Sequence, residues 1–261
     1  MVPPPRKRFA QHWLRDESVL QRIVAAAHLQ LQDTILEIGP GRGALTSRLL
    51  PQVQHLWAVE IDRDRCGELR QKFGDRPHFS LIEGDILAVP LPPATKTVAN
   101  IPYNITGPIL ERLLGTIAQP QRQFERVVLL VQQEIAERLT AVPGTKAYSA
   151  LSVRMQYLAD TEVVCTVPPQ AFVPPPKVTS AVVGLTPKNL VPTQPKLLET
   201  LTRAGFANRR KFLRNNLKAL LGDRLETVWD SLGWGPTVRA EELPLAEWLR
   251  LVAIAAENTE R

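Results

Sequence analysis

The sequence predicts an α/β protein in which a largely parallel sheet, covered by helices on both faces, is followed by a small all-helical C-terminal region. Three observations predict it. Short apolar runs alternate with helix-patterned stretches through most of the chain, as βαβ units require. A glycine-rich turn, Gly39-Pro40-Gly41-Arg42-Gly43, follows the first of these runs. After Thr186 the composition shifts, and everything beyond Pro195 is patterned as helix.

Ser18 is expected to cap a helix whose apolar positions Val19, Leu20, Ile23, Val24 and Ala27 recur at helical spacing. Thr34–Ile38 is a short apolar strand entering the glycine turn, and residues 44–50 form the next helix. Strands follow at 56–60, 79–82, 97–99 and 127–131, with helices at 63–73, 109–116 and 149–158. Residues 162–167 and 178–185, separated by a proline-rich loop, read as a terminal antiparallel pair. The stretch Pro187-Lys188-Asn189-Leu190-Val191-Pro192 reads as a linker. Helices are then expected at 196–206, 209–221, 224–232 and 245–257. A boundary near residue 190 divides the chain into domains of residues 1–189 and 190–261.

With 261 residues, 44% hydrophobic and 22% charged, the chain can bury a substantial core and lacks the composition of a disordered one. Cys66 and Cys165 lie in apolar segments, far apart, and are expected as buried free thiols. No Cys/His spacing suits zinc, so no metal is expected. Met1–Arg8 lacks the apolar core of a signal peptide, and no apolar run reaches spanning length. A soluble, cytoplasmic protein is therefore expected. The net charge of +6 suits a polyanionic partner.

Glu37, Gly39, Gly41 and Gly43 form the first candidate site: the glycines allow a sharp turn and a close approach of ligand to backbone. Glu60 ends the next strand about twenty residues on, where a carboxylate can accept both ribose hydroxyls. A dinucleotide-binding dehydrogenase would show these features too. The spacing, however, is GxGxG rather than GxGxxG, and an acidic Glu37 precedes the loop. Glu37 suits the neighbourhood of an ammonium-bearing methionine moiety, or orients the loop backbone. Asp85, in Glu83-Gly84-Asp85-Ile86, is placed to accept from an adenine amino group or to cap a turn. Ile61 and Ile86, next to these carboxylates, belong to the same expected site. The ligand indicated is S-adenosylmethionine.

The second site is Asn100-Ile101-Pro102-Tyr103, at the end of a later strand. The lone pair of an exocyclic base nitrogen is delocalised into the ring. Acceptors on its hydrogens favour a pyramidal nitrogen and stabilise the charge that develops on methylation. The Asn100 side-chain oxygen and the Ile101 carbonyl suit this role, Pro102 fixes the backbone, and Tyr103 can stack on the base. Phe172, in a proline-stiffened loop, either covers the other face of an extruded base or packs on the sheet.

These residues resemble the ribosomal RNA adenine N6-dimethyltransferase family, in its small-subunit (16S-type) branch, over nearly the whole chain. Besides the two sites, the resemblance is carried by Arg8–Leu14, Phe172–Val183, Phe206–Lys211, Asn215–Leu217 and Arg239–Glu241. It implies a Rossmann-like catalytic domain with a helical RNA- or ribosome-binding domain. It also implies transfer of four methyl groups to two adjacent adenosines near the 3′ end of small-subunit RNA, in a pre-ribosomal particle. Cofactor contacts implied by motif are His12, Leu14, Gly39, Glu60, Asp85 and Asn100. Trp13 stands where the family usually has Phe, and Ala10 where it usually has Gly.

Arg203, Arg210, Lys211, Arg214 and Lys218 fall close to one helical stripe with Arg209 beside it, and phosphate contacts are expected there. A large-subunit RNA methyltransferase of the antibiotic-resistance type shares both sites but lacks the C-terminal segments. A DNA adenine methyltransferase would more often carry proline at Ile101. A mainly non-enzymatic assembly factor is the alternative of a different class. The chain is expected to act as a monomer.

Overall fold

The computed structural model describes residues 12–189 and 194–257. Residues 8–11 of the N-terminal motif and 190–192 of the expected linker lie outside them. The elements are β1 (Trp13–Leu14), α1 (Glu17–Ala26), β2 (Thr34–Ile38), α2 (Thr46–Leu49), β3 (His55–Glu60), α3 (Arg63–Phe73), β4 (Phe79–Glu83), β5 (Lys96–Asn100), α4 (Thr106–Leu114) and β6 (Arg126–Gln132). They continue with α5 (Gln133–Leu139), α6 (Ala150–Leu158), β7 (Ala159–Val167), β8 (Phe172–Val173), β9 (Ser180–Pro187), α7 (Pro195–Gly205), α8 (Leu213–Leu221), α9 (Leu225–Leu232) and α10 (Leu245–Glu257).

Seven strands form one sheet in the order β4-β3-β2-β5-β6-β9-β7. The first five are parallel, and β9 runs antiparallel beside β6. Strands β2, β5 and β6 are buried over almost their whole length, and in β6 this shows as the continuous apolar run Val127–Val131. Ile23, Leu49, Leu69 and Phe73 from the covering helices pack with Ile35, Leu56, Val98 and Val128 of the strands. After β2 the chain builds β3 and β4 on one side, then crosses to place β5 on the other. The carboxyl ends of β2 and β5 therefore part at a switch point, the place where open α/β sheets bind ligands.

The cap of α1 is Asp16 rather than Ser18. The Asp16 carboxylate accepts the Val19 amide at 3.2 Å, and Ser18, already inside the helix, donates to Asp16 at 2.7 Å. A carboxylate at this position also complements the helix dipole.

The chain divides into two compact units. One holds the residues up to Leu114, Gln121–Ala136 and Thr161–Pro187; the other holds Gly115–Pro120, Glu137–Asp160 and the chain from Lys188 onward. A single boundary near 190 places residues 137–160 in the first domain, whereas they pack with the second unit. In the structure α6 packs against α7 and α10, and Tyr148 donates to the Leu243 carbonyl at 3.0 Å. The second unit has its own core of Leu198, Leu201, Leu213, Leu217, Trp229, Trp248 and Leu251. Gly205 lets α7 close on Trp248, whose ring a Cβ would meet at 2.5 Å. The helix expected from Arg209 begins only at Leu213. The preceding turn is held by Asn216, whose side-chain amide donates to the carbonyls of Gly205 (2.6 Å) and Asn208 (3.2 Å).

Beneath β5, the ammonium of Lys96 donates to Asp33 at 2.7 Å and to the His28 carbonyl at 2.6 Å, with both charged side chains buried. Removing one partner strands the other charge. Lys96→Met is expected to cost about 3–5 kcal/mol in urea unfolding, much of it recovered on adding Asp33→Asn. A loss below about 1 kcal/mol for the single variant would refute this account of the pair.

Candidate active site

A cleft of about 240 Å³ opens at the carboxyl ends of β2, β3 and β5. It is lined by the expected residues His12, Gly39, Gly41, Glu60, Ile61, Asp85, Ile86 and Asn100 to Tyr103. The structure adds Trp13, Ile38, Val59, Leu87, Asn104 and Ile105. Most of these are apolar neighbours of the motif residues, and no spacing rule distinguishes them from core.

The glycine turn is satisfied from within. The Gly39 amide donates to the Val59 carbonyl (2.9 Å), that of Gly43 to the Pro40 carbonyl (2.9 Å), and that of Gly41 to Glu60 Oε2 (3.0 Å). Dinucleotide sites turn such amides toward a pyrophosphate. Here they are occupied, and a carboxylate stands where the phosphate would need a cation. The donor set instead suits a ligand rich in hydroxyl and amino hydrogens with an adenine-like apolar body. An adenosyl methionine fits it.

Glu60 is buried, and its other oxygen accepts the Asp62 amide at 2.9 Å. Burial pushes its carboxyl above the usual range, opposed by the amide bonds. Each carboxylate oxygen has a second lone pair left for a ligand hydroxyl. Asp85 Oδ1 accepts the Leu87 amide at 2.9 Å, so the turn-capping role considered for it is present, while the residue also lines the cleft. Ile61, 47% exposed, offers an apolar edge at the mouth.

On the acceptor side, Asn100 Nδ2 donates to the His12 carbonyl at 3.1 Å. This bond fixes the amide and leaves Oδ1 as its acceptor end. The Tyr103 ring stacks against His12 (centroids 5.9 Å apart, planes at 21°), and its hydroxyl shares a 2.5 Å hydrogen bond with Ser180. His12 Nδ1 lies 2.8 Å from the Pro174 carbonyl. The indole at Trp13 takes the Arg42 guanidinium over its ring at 3.9 Å.

Phe172 and Gly43 sit outside the lining, whereas Leu14 and Glu37 line a second cavity of about 150 Å³ that shares Trp13, Gly39, Gly41 and Asn100 with the first. Phe172 is 2% exposed and lies in the hydrophobic core, opposite Leu14 in the β1–β8 ribbon. It is a packing residue in this structure, with no face turned to the cleft. The Leu14 side chain is buried in the same core. Gly43 has φ +77° and meets Phe73, 2.5 Å from where a Cβ would stand, so its smallness serves helix packing. Glu37 is 1% exposed, lines the second cavity, and accepts from the Thr46 hydroxyl at 2.7 Å. Its hydrogen bond goes to α2 and its position lines a cavity next to the cleft, so both readings of Glu37 stand.

In the helical unit the six basic residues do not form one stripe, because the turn at 206–212 separates them. Arg209 is spent on the carbonyls of Lys146 (2.9 Å) and Tyr148 (3.1 Å), with Glu241 at 3.7 Å. Arg214 is paired with Glu226. Arg203, Arg210, Lys211 and Lys218 are exposed.

Burial, with Glu60 nearby, raises the Glu37 carboxyl to about 8. The folded state thus keeps a proton that the unfolded chain releases above its ordinary value near 4.5. The sign follows: this residue makes stability fall as pH rises from about 4.5 to about 8. Melting curves between pH 5 and 8.5 should show Glu37→Gln gaining on the parent as pH rises. A difference between the two that is the same at pH 5 and pH 8 would refute it.

The ribosomal RNA adenine dimethylase family model matches residues 4–257. Ribosomal RNA small subunit methyltransferase A of Rippkaea orientalis is 55% identical over 262 residues, covering 95% of this chain and 96% of that protein. Its counterpart in Thermosynechococcus vestitus is 56% identical over 252 residues, covering 94% and 95%. Among solved structures, a dimethyladenosine transferase from Plasmodium falciparum superimposes with a TM-score of 0.82 at 27% identity, covering 95% of this chain and 98% of that one. The 23S rRNA methyltransferase ErmE gives 0.76 at 28% identity, covering 94% and 99%. The chain belongs to the ribosomal RNA adenine dimethylase family: it is an rRNA adenine dimethyltransferase whose methyl donor is S-adenosylmethionine.

Proposed function

We propose that this enzyme dimethylates N6 of two adjacent adenosines near the 3′ end of small-subunit (16S) ribosomal RNA. It acts in the cytoplasm, as a monomer, on a pre-ribosomal particle during subunit assembly. The observation that carries the chemistry is the tether from Asn100 Nδ2 to the His12 carbonyl, which presents Oδ1 beside the donor cleft. The small-subunit assignment is supported by the relatives near 55% identity that carry that name.

When bound, S-adenosylmethionine supplies the electrophilic methyl group. Glu60 accepts its ribose hydroxyls, Asp85 its adenine amino group, and Ile61 and Ile86 flank the base. Asn100 Oδ1 and the Ile101 carbonyl accept the hydrogens of the target amine. This leaves the nitrogen lone pair directed at the methyl and stabilises charge as it develops. Tyr103 stacks on the target base. With its hydroxyl held by Ser180 and one side against His12, the ring is already oriented, so little freedom is lost on binding. Methyl transfer replaces one amine hydrogen at a time, so the same acceptors serve the second transfer with one hydrogen fewer. In the helical unit Arg203, Arg210, Lys211 and Lys218 contact phosphates, while Arg209 and Arg214 hold the turn and helix that present them.

The large-subunit reading is weaker, because relatives near 55% identity carry the small-subunit name whereas ErmE is 28% identical. The assembly-factor reading leaves unexplained why both halves of the cleft are complete. One experiment tests substrate and activity together. The enzyme is incubated with labelled S-adenosylmethionine and immature small or large subunits, and the modified adenosines are mapped. Label confined to large subunits would overturn the proposal.

Asn100→Ala should lower kcat about a hundredfold, roughly 3 kcal/mol, by analogy with the loss of one oxyanion donor. Donor affinity measured by calorimetry should change less; an unaltered kcat would remove Asn100 from the chemistry. Reversing charge at both Arg210 and Lys211 should weaken RNA binding and flatten its dependence on salt, by roughly one unit of log–log slope for each phosphate no longer neutralised. An unchanged slope would mark them as solvated surface.

A further inference from the structure

The turn that carries Asp85 is anchored at both ends, and the second anchor is a side chain with no place in the chemistry described above. At the first end, the Gly84 amide donates to the Glu60 carbonyl at 2.8 Å. The turn then closes on Asp85: the amides of Ala88 and Val89 both donate to the Asp85 carbonyl at 2.9 Å, and that of Leu87 to its carboxylate. Val89 packs back on Gly84, where a Cβ would stand 2.5 Å from its methyl group. At the far end, Arg112 Nη2 donates to the Val89 carbonyl at 2.7 Å, across 23 residues of chain.

Arg112 lies on α4, the helix into which the Tyr103–Ile105 turn runs directly. Its Nε is enclosed without a hydrogen-bond partner among the described residues. An enclosed donor of this kind costs stability. The arrangement is thus poorly explained as a contribution to the fold and better explained as a constraint on the turn. Leu110 and Leu113, beside it on α4, are fully buried, so the helix is a fixed post. The two halves of the cleft meet through it, since one end of α4 follows the acceptor element and Arg112 grips the donor turn.

We infer that Arg112 is a positioning residue for the methyl donor: by holding the Val89 carbonyl it fixes Asp85 at the adenine end of the cleft and sets that end against Asn100–Tyr103. The inference rests on the reading of Asp85 as a donor contact. Without the link the turn keeps its internal bonds but loses its registration on α4. The donor then binds a site that must first be ordered.

The test is calorimetric titration of S-adenosylhomocysteine, which needs no RNA, into the full-length protein and its variants. Arg112→Met, which keeps the stem and removes the donors, should weaken binding about tenfold, the scale of one hydrogen bond removed. Arg112→Lys, able to donate to the same carbonyl, should recover most of it and guards against a variant that fails to fold. In turnover assays the KM for the donor should rise while kcat stays within about twofold of the parent. Asp85→Asn should weaken binding alone but add little in the Arg112→Met background, because both act on one contact. An Arg112→Met protein that melts lower yet binds S-adenosylhomocysteine as the parent does would show a structural role only. Additive losses would show that Arg112 does not act through Asp85. If Asp85→Asn alone leaves binding unchanged, the donor reading of Asp85 falls and the inference with it; if only Arg112→Met does, the inference alone falls.

Discussion

Glu60 accepts the Gly41 amide on one carboxylate oxygen and the Asp62 amide on the other, joining the end of β3 to the turn after β2 and to the start of α3. A buried carboxylate is expensive unless its lone pairs are engaged. These two amides engage it, and in doing so they close the glycine turn against a phosphate. The same bond that shapes the loop therefore restricts what the loop can bind. Glu37 lies close enough to raise the cost of a second charge, and it is more thoroughly enclosed. Burial raises Glu37 to about 8, while at Glu60, also raised by burial, the backbone amides oppose the shift. Environments that separate two neighbouring carboxyls in this way assign them different work.

On the other side of the switch point, side chains are fixed by backbone carbonyls and one serine hydroxyl. Asn100 is held by the His12 carbonyl, His12 by the Pro174 carbonyl, and Tyr103 by Ser180. The wall of the acceptor site is thus assembled from three distant stretches of chain. The β1–β8 ribbon, with Leu14 opposite Phe172, pins the first of these to the third. Phe172 contributes by being buried: its ring secures the ribbon, which in turn places His12 over Tyr103. Preorganisation of this kind reduces the ordering that the substrate must impose.

The strands were legible because the sheet is covered on both faces, so that Val127–Val131 is an unbroken apolar run and Thr34–Ile38 is apolar but for Thr34 and Glu37. The α3 span, Arg63–Phe73, was legible from its own periodicity between Asp62 and Gly74. The β1 and β8 strands were not, since two residues show no period and their partner lies far along the chain. Nor was α5, which follows β6 with no intervening turn signal. The glycine turn is legible as a ligand loop, yet its three glycines differ in use, and only contact with Phe73 separates Gly43 from the others. The basic stripe fails for a related reason. Helical spacing counted through residues 206–212 crosses a break set by the Asn216 amide, a contact invisible to periodicity. Composition likewise does not reveal that Arg209, though exposed, is bonded to the carbonyls of Lys146 and Tyr148.

That distinction bears on where substrate choice resides. ErmE shares the fold over nearly the full length of this chain, so neither the sheet nor the helical unit by its presence selects one ribosomal RNA over another. The cleft cannot select either, because an extruded adenosine is the same base from any RNA. In the helical unit the basic side chains differ in how they are paired. Arg209 donates to two carbonyls with Glu241 nearby, and Arg214 is paired with Glu226. Arg203, Arg210, Lys211 and Lys218 are exposed. Phosphate contacts fix the register of a nucleic acid without reading its sequence. A surface that binds through such contacts responds to how an RNA is folded rather than to its sequence.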